Sequence, residues 1–200
     1  MRGVGSSFLC GLLAAASLPT SASSDEEIWR VTLDSEPTEI RFVLDATLHS
    51  VHGTVALLPS ELMILPTQGE LRGEVFVDAR SAESGNARRD RDMHRKVLES
   101  EHFPRIALSP SSFEGDLTLD GTSRVRVRGE LEIHGSRHPV ELDVDVSIVG
   151  DEVRLTTEFP VPYVEWGMRD PSKMLLRVAK EVMVEVEAAG RISALANQNR

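Results

Sequence analysis

The chain has 200 residues, of which 40% are apolar, and 32 acidic residues against 22 basic ones give it a formal net charge of −10. This length suits one domain or at most two small ones, and the apolar content argues against a disordered chain. The negative excess repels nucleic acid and anionic lipid headgroups, so neither is expected as a partner.

The first 24 residues have the layout of a secretory signal peptide. Arg2 supplies the positive charge, residues 8–18 form an apolar run too short to span a bilayer, and Thr20 and Ala22 are the small residues of a cleavage site. The alternative, a buried core helix, is disfavoured by the acidic polar stretch that follows. Cys10, the single cysteine, follows Leu9 and not a small residue, which argues against a lipid anchor. We expect residues 1–24 to be removed and the rest to be exported to the periplasm or secreted, without disulfides.

Period-two alternation of apolar and polar residues dominates the rest of the chain and predicts β-strands. In chain order the candidate segments are residues 29–33, 40–44, 51–58, 71–78, 105–109, 124–133, 140–148, 153–159 and 182–186. Some of these segments could be halves of one strand. One stretch, residues 86–101, breaks the period, and Met93, Val97 and Leu98 recur there at helical spacing, which predicts a short α-helix before Pro104. Residues 193–200 are expected to form a flexible tail after a domain at 25–192.

The segments at 124–133 and 140–148 predict a hairpin with one dry face and one wet face. Arginines at 124, 126 and 128 face acidic residues at 141, 143 and 145 across the pair. A turn centred on Gly135 and Ser136 would place Arg128 opposite Asp143, and a slip of two residues would place it opposite Glu141. Both registers pair opposite charges, whereas a slip of one residue would bury them.

Many short alternating strands predict a sandwich or a barrel. The inward-facing residues are small, mostly Val, Leu, Ile, Thr and Gly, and only 4% of the chain is aromatic, so the interior of an eight-stranded barrel would retain space for an apolar guest. The residues expected to contact this guest are Phe42, Leu44, Val75, Val77, Val125, Val127, Leu131, Leu142, Val144, Val146, Leu155, Phe159, Tyr163 and Trp166. Tyr163 and Trp166 suit the mouth of the cavity, although plain packing against the helix explains them equally well.

Two motifs resemble the YceI-like, lipocalin-like proteins of bacteria. Residues 129–142 are similar to the hairpin pattern G-x-L-x-I-x-G-x-x-x-P-V-x-L of that family, and residues 91–94 match its R-D-x-H helix, followed at Phe103 and Pro104 by an aromatic-Pro strand start. The resemblance covers residues 29–192. The sequence departs from the family pattern at Arg95, where a Leu is usual, and at residues 163–168, which stand in place of the family's Arg-Ser-x-Phe-Gly.

The resemblance implies an eight-stranded antiparallel, lipocalin-like β-barrel with one short α-helix. It also implies a periplasmic binding protein whose ligand is a polyisoprenoid, an isoprenoid quinone or a fatty amide-like amphiphile. The departures lie where a ligand mouth would be, so the resemblance does not identify the ligand. The resemblance does not determine whether the protein forms a homodimer.

Other activities fit the sequence less well. A hydrolase could use Asp90 or Asp92 with His94, but no nucleophile or oxyanion-hole motif accompanies them, and a helix cap with surface ion pairs explains the cluster. His49 and His52 would lie on opposite faces of a strand, so they predict no metal site, and no cofactor fingerprint is present. An outer-membrane barrel is excluded by the row of charges at residues 124–132, which cannot face lipid.

Overall fold

A computed structural model describes residues 27–172 and 177–195 of the chain. The predicted signal peptide, and residues 196–200 of the predicted tail, lie outside these ranges. The elements are β1 (Ile28–Leu44), β2 (Val51–Leu57), β3 (Ser60–Leu65), a short 3-10 helix (Pro66–Gln68), β4 (Glu70–Glu83), α1 (Ala87–Lys96), β5 (Arg105–Glu114), β6 (Gly121–Ile133), β7 (Ser136–Val149), β8 (Glu152–Val161) and β9 (Val182–Leu195).

The strands form one closed antiparallel barrel. Each strand from β3 to β9 pairs with the next along the chain, and β9 returns to pair with β1 over most of its length. Both β2 and β3 pair with β1, β2 along its C-terminal half and β3 along its N-terminal half. They therefore occupy one position in the barrel, interrupted at Leu58 and Pro59, and the barrel has eight positions. The predicted eight-stranded antiparallel barrel with one helix is confirmed.

Several boundaries differ from the sequence prediction. The segments at 29–33 and 40–44 are one strand, β1, whose pairing with β9 shifts between Asp34 and Glu39. Strand β3 was not predicted. Residues 193–195 do not belong to a tail, because β9 continues through them and Leu195 pairs with Ile28.

The helix is shorter than predicted at its C-terminal end. Asn86 caps it, accepting hydrogen bonds from the backbone N–H groups of Arg88 and Arg89 at 3.1 Å, as expected for an N-cap. It ends at Lys96 instead of continuing to residue 101, because the backbone N–H groups of both Val97 and Leu98 donate to the carbonyl of Met93 and Glu99 takes a positive φ of 44°.

The hairpin of β6 and β7 takes the second of the two registers. Arg124 lies opposite Asp145, and Arg128 lies opposite Glu141. The turn is centred on His134 and Gly135, which have φ values of 52° and 73°, the two positive values that a two-residue type I′ turn requires.

The apolar faces of the strands point into the barrel and form two connected groups. The larger group includes Val31, Leu33, Ile148 and Val153, all almost fully buried. The smaller group includes Leu131, Tyr163 and Met168, at the end of the barrel that carries α1. We call this end the helix end. The opposite end, where β3–β4, β5–β6 and β7–β8 are connected, is called the far end.

Candidate ligand cavity

An apolar cavity of about 780 Å³ runs through the inside of the barrel. All strands contribute to its wall, mostly through valine and leucine side chains. A volume of this size falls within the range of ligand pockets in proteins. The cavity exists because inward positions such as Val125, Val144 and Val184 carry small side chains that do not meet across the barrel.

The residues that the sequence predicts as ligand contacts lie on this wall, with one exception. Phe42, Leu44, Val75, Val77, Val125, Val127, Leu131, Leu142, Val144, Val146, Leu155, Phe159 and Tyr163 line the cavity. Trp166 does not; its indole stacks on the imidazole of His138, with ring centroids 4.2 Å apart and planes 4° from parallel. Trp166 therefore packs on β7, whereas the alternative to a place at the mouth was packing against the helix.

Phe42 shows why one inward glycine is required. Phe42 on β1 lies directly opposite Gly53 on β2, and a side chain at Gly53 would collide with the Phe42 ring. The glycine therefore gives the ring space to lie across the neighbouring strand, which makes Phe42 one of the few bulky groups on the cavity wall.

The far end of the barrel forms the floor of the cavity. Phe113, Ile148, Val153 and Ile192 line the cavity there and are almost fully buried. The other end is bordered by α1 and by residues 162–172, which include many polar side chains. The polar opening is therefore at the helix end.

A small hydrogen-bond network joins the first turn of α1 to Ser84, the residue that directly follows β4. The Arg89 guanidinium donates to the Ser84 hydroxyl at 2.6 Å and to its carbonyl at 2.8 Å. The Asp90 carboxylate accepts from both the hydroxyl and the backbone N–H of Ser84. These bonds hold the helix so that Met93 and, just beyond it, Val97 and Leu98 face the cavity.

The ring of His94 is fully engaged in structural hydrogen bonds. Its Nε2 lies 2.9 Å from the carbonyl oxygen of Ala82, and its Nδ1 lies 2.9 Å from the hydroxyl of Ser100. Since a carbonyl can only accept, Nε2 carries a proton, and in the neutral ring Nδ1 accepts from Ser100. Asp92 accepts a bond from Lys96 at 2.5 Å. The hydrolase hypothesis needs Asp92 bound to His94, and neither ring nitrogen is available for that bond.

Tyr163 closes part of the helix end from the inside. Its side chain is 5% exposed, and its hydroxyl donates to the carbonyl of Ala179 at 2.8 Å. Burial raises the pKa of the phenol to about 12, and the negative charge of Asp170 adds to the rise. The phenol is therefore neutral at ordinary pH, and its apolar ring faces the cavity.

Several residues of the wall and the opening were not predicted from the sequence. Met168, 3% exposed, lines the cavity from an irregular segment, where no periodicity signals the direction of a side chain. Arg88, Arg169 and Asp170 border the opening, and nothing in their sequence positions distinguishes them from other surface charges. Val182, Val184 and Val186 were predicted as a strand, and their alternation could also have assigned them to the wall.

Metal and membrane motifs are absent from residues 27–172 and 177–195. Within these ranges, no cluster of three or more His, Cys, Asp or Glu side chains could hold a metal ion. In the same part of the chain, no helix has the length and apolarity needed to cross a membrane.

Comparisons with known proteins agree with this architecture. The barrel is similar to a polyisoprenoid binding domain from Saccharophagus degradans, implicated in plant cell wall breakdown, with a TM-score of 0.64 and 16% identity over 82% of this chain and 98% of that one. It is similar to Burkholderia cenocepacia BcnA, with a TM-score of 0.60 and 16% identity over 78% and 98% of the two chains. The Campylobacter jejuni YceI protein matches with a TM-score of 0.53 and 12% identity over 70% and 80%.

These identities are too low to show more than a shared fold. A search of the curated proteins finds no significant match. The family model described as YceI-like domain matches residues 31–189, which include nearly all of the barrel and the whole of α1. The chain therefore belongs to the family of proteins with a YceI-like domain.

Proposed function

We propose that this protein is an exported binding protein that holds one long-chain apolar molecule inside its barrel. The observation that carries the proposal is the continuous apolar cavity of about 780 Å³. A dry cavity of this size is stabilised by an apolar occupant, because its wall otherwise lacks contact partners. The volume corresponds to roughly two dozen groups of the size of a water molecule or a methylene.

The shape of the cavity favours a chain over a compact ligand. Strands of 13 or 14 residues, such as β6 and β7, extend about 45 Å, and a tilt of about 45° gives a barrel about 30 Å high. A cavity that follows such a barrel is long and narrow. The similar domain from Saccharophagus degradans is described as polyisoprenoid binding, which supports a polyisoprenoid, an isoprenoid quinone or a fatty amide-like amphiphile here.

Export and the absence of catalysis are parts of the same proposal. The signal-like residues 1–24 support a periplasmic or secreted location, where a carrier moves apolar molecules through water. The engagement of both His94 nitrogens supports binding without chemistry. A homodimer is compatible with this proposal.

Native mass spectrometry of the protein purified from the cells that produce it tests the proposal. We expect a mass increase from one bound molecule per chain, which is released by organic solvent and identified as a long-chain amphiphile. Recovery of only the unliganded mass, together with failure to take up any long-chain probe after delipidation, would contradict the proposal.

A further inference from the structure

The opening of the cavity carries a set of charged side chains, in contrast to its apolar wall. The charged residues from α1 and from residues 162–172 that border the opening are Arg88, Arg89, Asp92, Lys96, Arg169 and Asp170. Cations outnumber carboxylates in this set, although the chain as a whole has a net charge of −10. The sign of the opening is therefore opposite to that of the molecule.

Two cations on the cavity wall are occupied by intramolecular partners. Arg89 donates to the hydroxyl and the carbonyl of Ser84 at 2.6 and 2.8 Å. Arg41, which also borders the cavity, is held by the carboxylate of Glu39 in two hydrogen bonds of 2.7 Å. These guanidinium groups have structural roles.

Both carboxylates of the opening are occupied as well. Asp92 accepts from the Lys96 ammonium at 2.5 Å, which also occupies that cation. The Asp170 carboxylate accepts from the backbone N–H of Ser172 at 2.8 Å.

Arg88 and Arg169 are the two remaining cations in the set that borders the opening. Within residues 27–172 and 177–195, neither guanidinium forms a hydrogen bond or an ion pair, and both residues are exposed at the opening. Arg88 lies in the first turn of α1, and Arg169 directly follows the buried Met168. The two residues come from the two segments that border the opening.

We infer that the bound amphiphile carries an anionic head group, a carboxylate or a phosphate, that Arg88 and Arg169 bind at the opening. This assignment rests on the proposed function, since it concerns the head of the molecule whose chain lies in the barrel. It also narrows the proposed ligand classes, because isoprenoid quinones and fatty amides have neutral head groups. The apolar wall offers a polar head no hydrogen bonds, so the head stays at the opening. A guanidinium binds a carboxylate or a phosphate through two parallel hydrogen bonds, which makes arginine the suitable residue at this place.

The test compares three probes of equal chain length: a long-chain fatty acid, the corresponding primary alcohol and the corresponding alkyl phosphate. Affinities for the delipidated protein are measured by displacement of a fluorescent fatty probe, at low and at high salt. We expect the acid and the phosphate to bind about tenfold more tightly than the alcohol at low salt, because a hydrogen bond to a charged group contributes about that factor. The preference should decrease at high salt.

Substitutions then assign the preference to the two residues. In the double variant Arg88→Gln and Arg169→Gln, the affinity for the alcohol should be unchanged and the preference for the anionic probes should disappear. The double variant Arg91→Gln and Arg95→Gln is the matched control, because it also removes two positive charges, from exposed arginines of α1 that do not border the cavity. Thermal unfolding of each variant checks that the barrel is intact.

Each contrary result has a separate meaning. Equal affinities of the parent protein for acid, phosphate and alcohol would overturn the inference and leave the chain-binding function in place. An equal loss of preference in the control variant Arg91→Gln and Arg95→Gln would overturn the assignment to Arg88 and Arg169, since net charge alone would explain it. If none of the three probes bound the folded parent, the proposed function would fail, and this inference with it.

Discussion

His94 joins α1 to β4 through its Nε2 and to Ser100, in the connection that follows the helix, through its Nδ1. Replacement by alanine would leave the hydroxyl of Ser100, 3% exposed, and the carbonyl of Ala82 without this partner. We expect His94→Ala to lower the free energy of unfolding by about 1–3 kcal/mol. Chemical denaturation measures this loss.

His102→Ala is the control for His94→Ala, because His102 is exposed and its loss should change stability by less than about 0.5 kcal/mol. A hydrolytic activity abolished in His94→Ala and in Asp92→Asn, at unchanged stability, would contradict the structural role and favour the hydrolase.

Tyr163 is the single tyrosine of the chain, so its ionisation can be followed by ultraviolet absorption alone. The pKa of the buried phenol is raised from 10.0 to about 12. Because the folded state retains this proton more strongly than the unfolded state does, the group's contribution is fully present below pH 10.0 and is lost as the pH rises towards 12. We expect a loss of about 2 kcal/mol over this interval.

The variant Tyr163→Phe isolates that contribution from the titration of other groups. Its stability should fall less than that of the parent between pH 10.0 and about 12. A titration midpoint near 10.0 in the folded parent would show that the phenol is not buried as described.

Side-chain direction could be predicted within the strands and not outside them. Alternation assigned Val125, Leu142 and Val144 to the interior because the charged neighbours on the other face must stay in water. The same reasoning does not apply to residues 162–172, because apolar and polar residues do not alternate regularly there. There the sequence could not distinguish Tyr163, which faces the cavity, from Trp166, which stacks on His138.

At the scale of elements, the turn between β6 and β7 combines two requirements on Gly135. Its φ of 73° disfavours any side chain, and a Cβ there would lie 2.6 Å from the Phe103 ring. Gly150, between β7 and β8, has a similar φ of 63°, but a Cβ on it would have no neighbouring atom within 4 Å. Comparing substitutions at the two glycines therefore distinguishes the cost of the backbone conformation from the cost of the steric contact with Phe103.

We expect Gly150→Ala to lower the free energy of unfolding by about 1–2 kcal/mol, the cost of the left-handed conformation. Gly135→Ala should cost distinctly more, since the Phe103 ring must also move. Thermal or chemical unfolding measures the free energy of unfolding of both variants. Equal decreases in this free energy would show that Phe103 does not pack on the turn.

The element boundaries that sequence reasoning missed have identifiable physical reasons. Strand β3 begins directly after Leu58 and Pro59, and a proline normally argues against a continuing strand. The chain after Lys96 keeps helical spacing at Val97 and Leu98, but its backbone turns there because Glu99 has a positive φ. The spacing of the apolar residues gives no information on this change of backbone conformation. The register of β6 and β7 remained open because two registers pair opposite charges equally well.

At the scale of the whole molecule, closure of the barrel depends on the long pairing between β1 and β9. Their separation in the sequence made this contact unpredictable from local patterns, although closure follows from the need to leave no unpaired sheet edge. The eight positions were implied by the resemblance to YceI-like proteins, since alternation alone indicated nine candidate segments. The apolar interior was predictable from the alternation itself. The volume of the cavity required the structure.

Export of the protein is a prediction that concerns residues outside the described part of the chain. We expect cleavage close to Ala22 and recovery of the mature protein in the soluble exported fraction, because residues 1–24 have a charged, an apolar and a small-residue region in order. N-terminal sequencing of that fraction tests this. A first residue of Met1, or recovery only with membranes after a salt wash, would contradict it.

A tryptophan placed on the cavity wall tests most directly whether an apolar chain occupies the inside of the barrel. Val144 lines the cavity in the middle of the wall, between Val125 and Thr157 on the neighbouring strands. Ser147, on the same strand, points to the outer face and provides the matched control Ser147→Trp. Val144→Trp should cost about 1–3 kcal/mol in strain and still fold.

The measurement is the affinity of each folded variant for a long-chain probe, determined by fluorescence displacement. We predict that Val144→Trp binds at least about tenfold more weakly than the parent, because the indole takes the place of part of the chain, and that Ser147→Trp binds as the parent does. Parental affinity in a folded Val144→Trp variant would show that the ligand does not lie in the barrel.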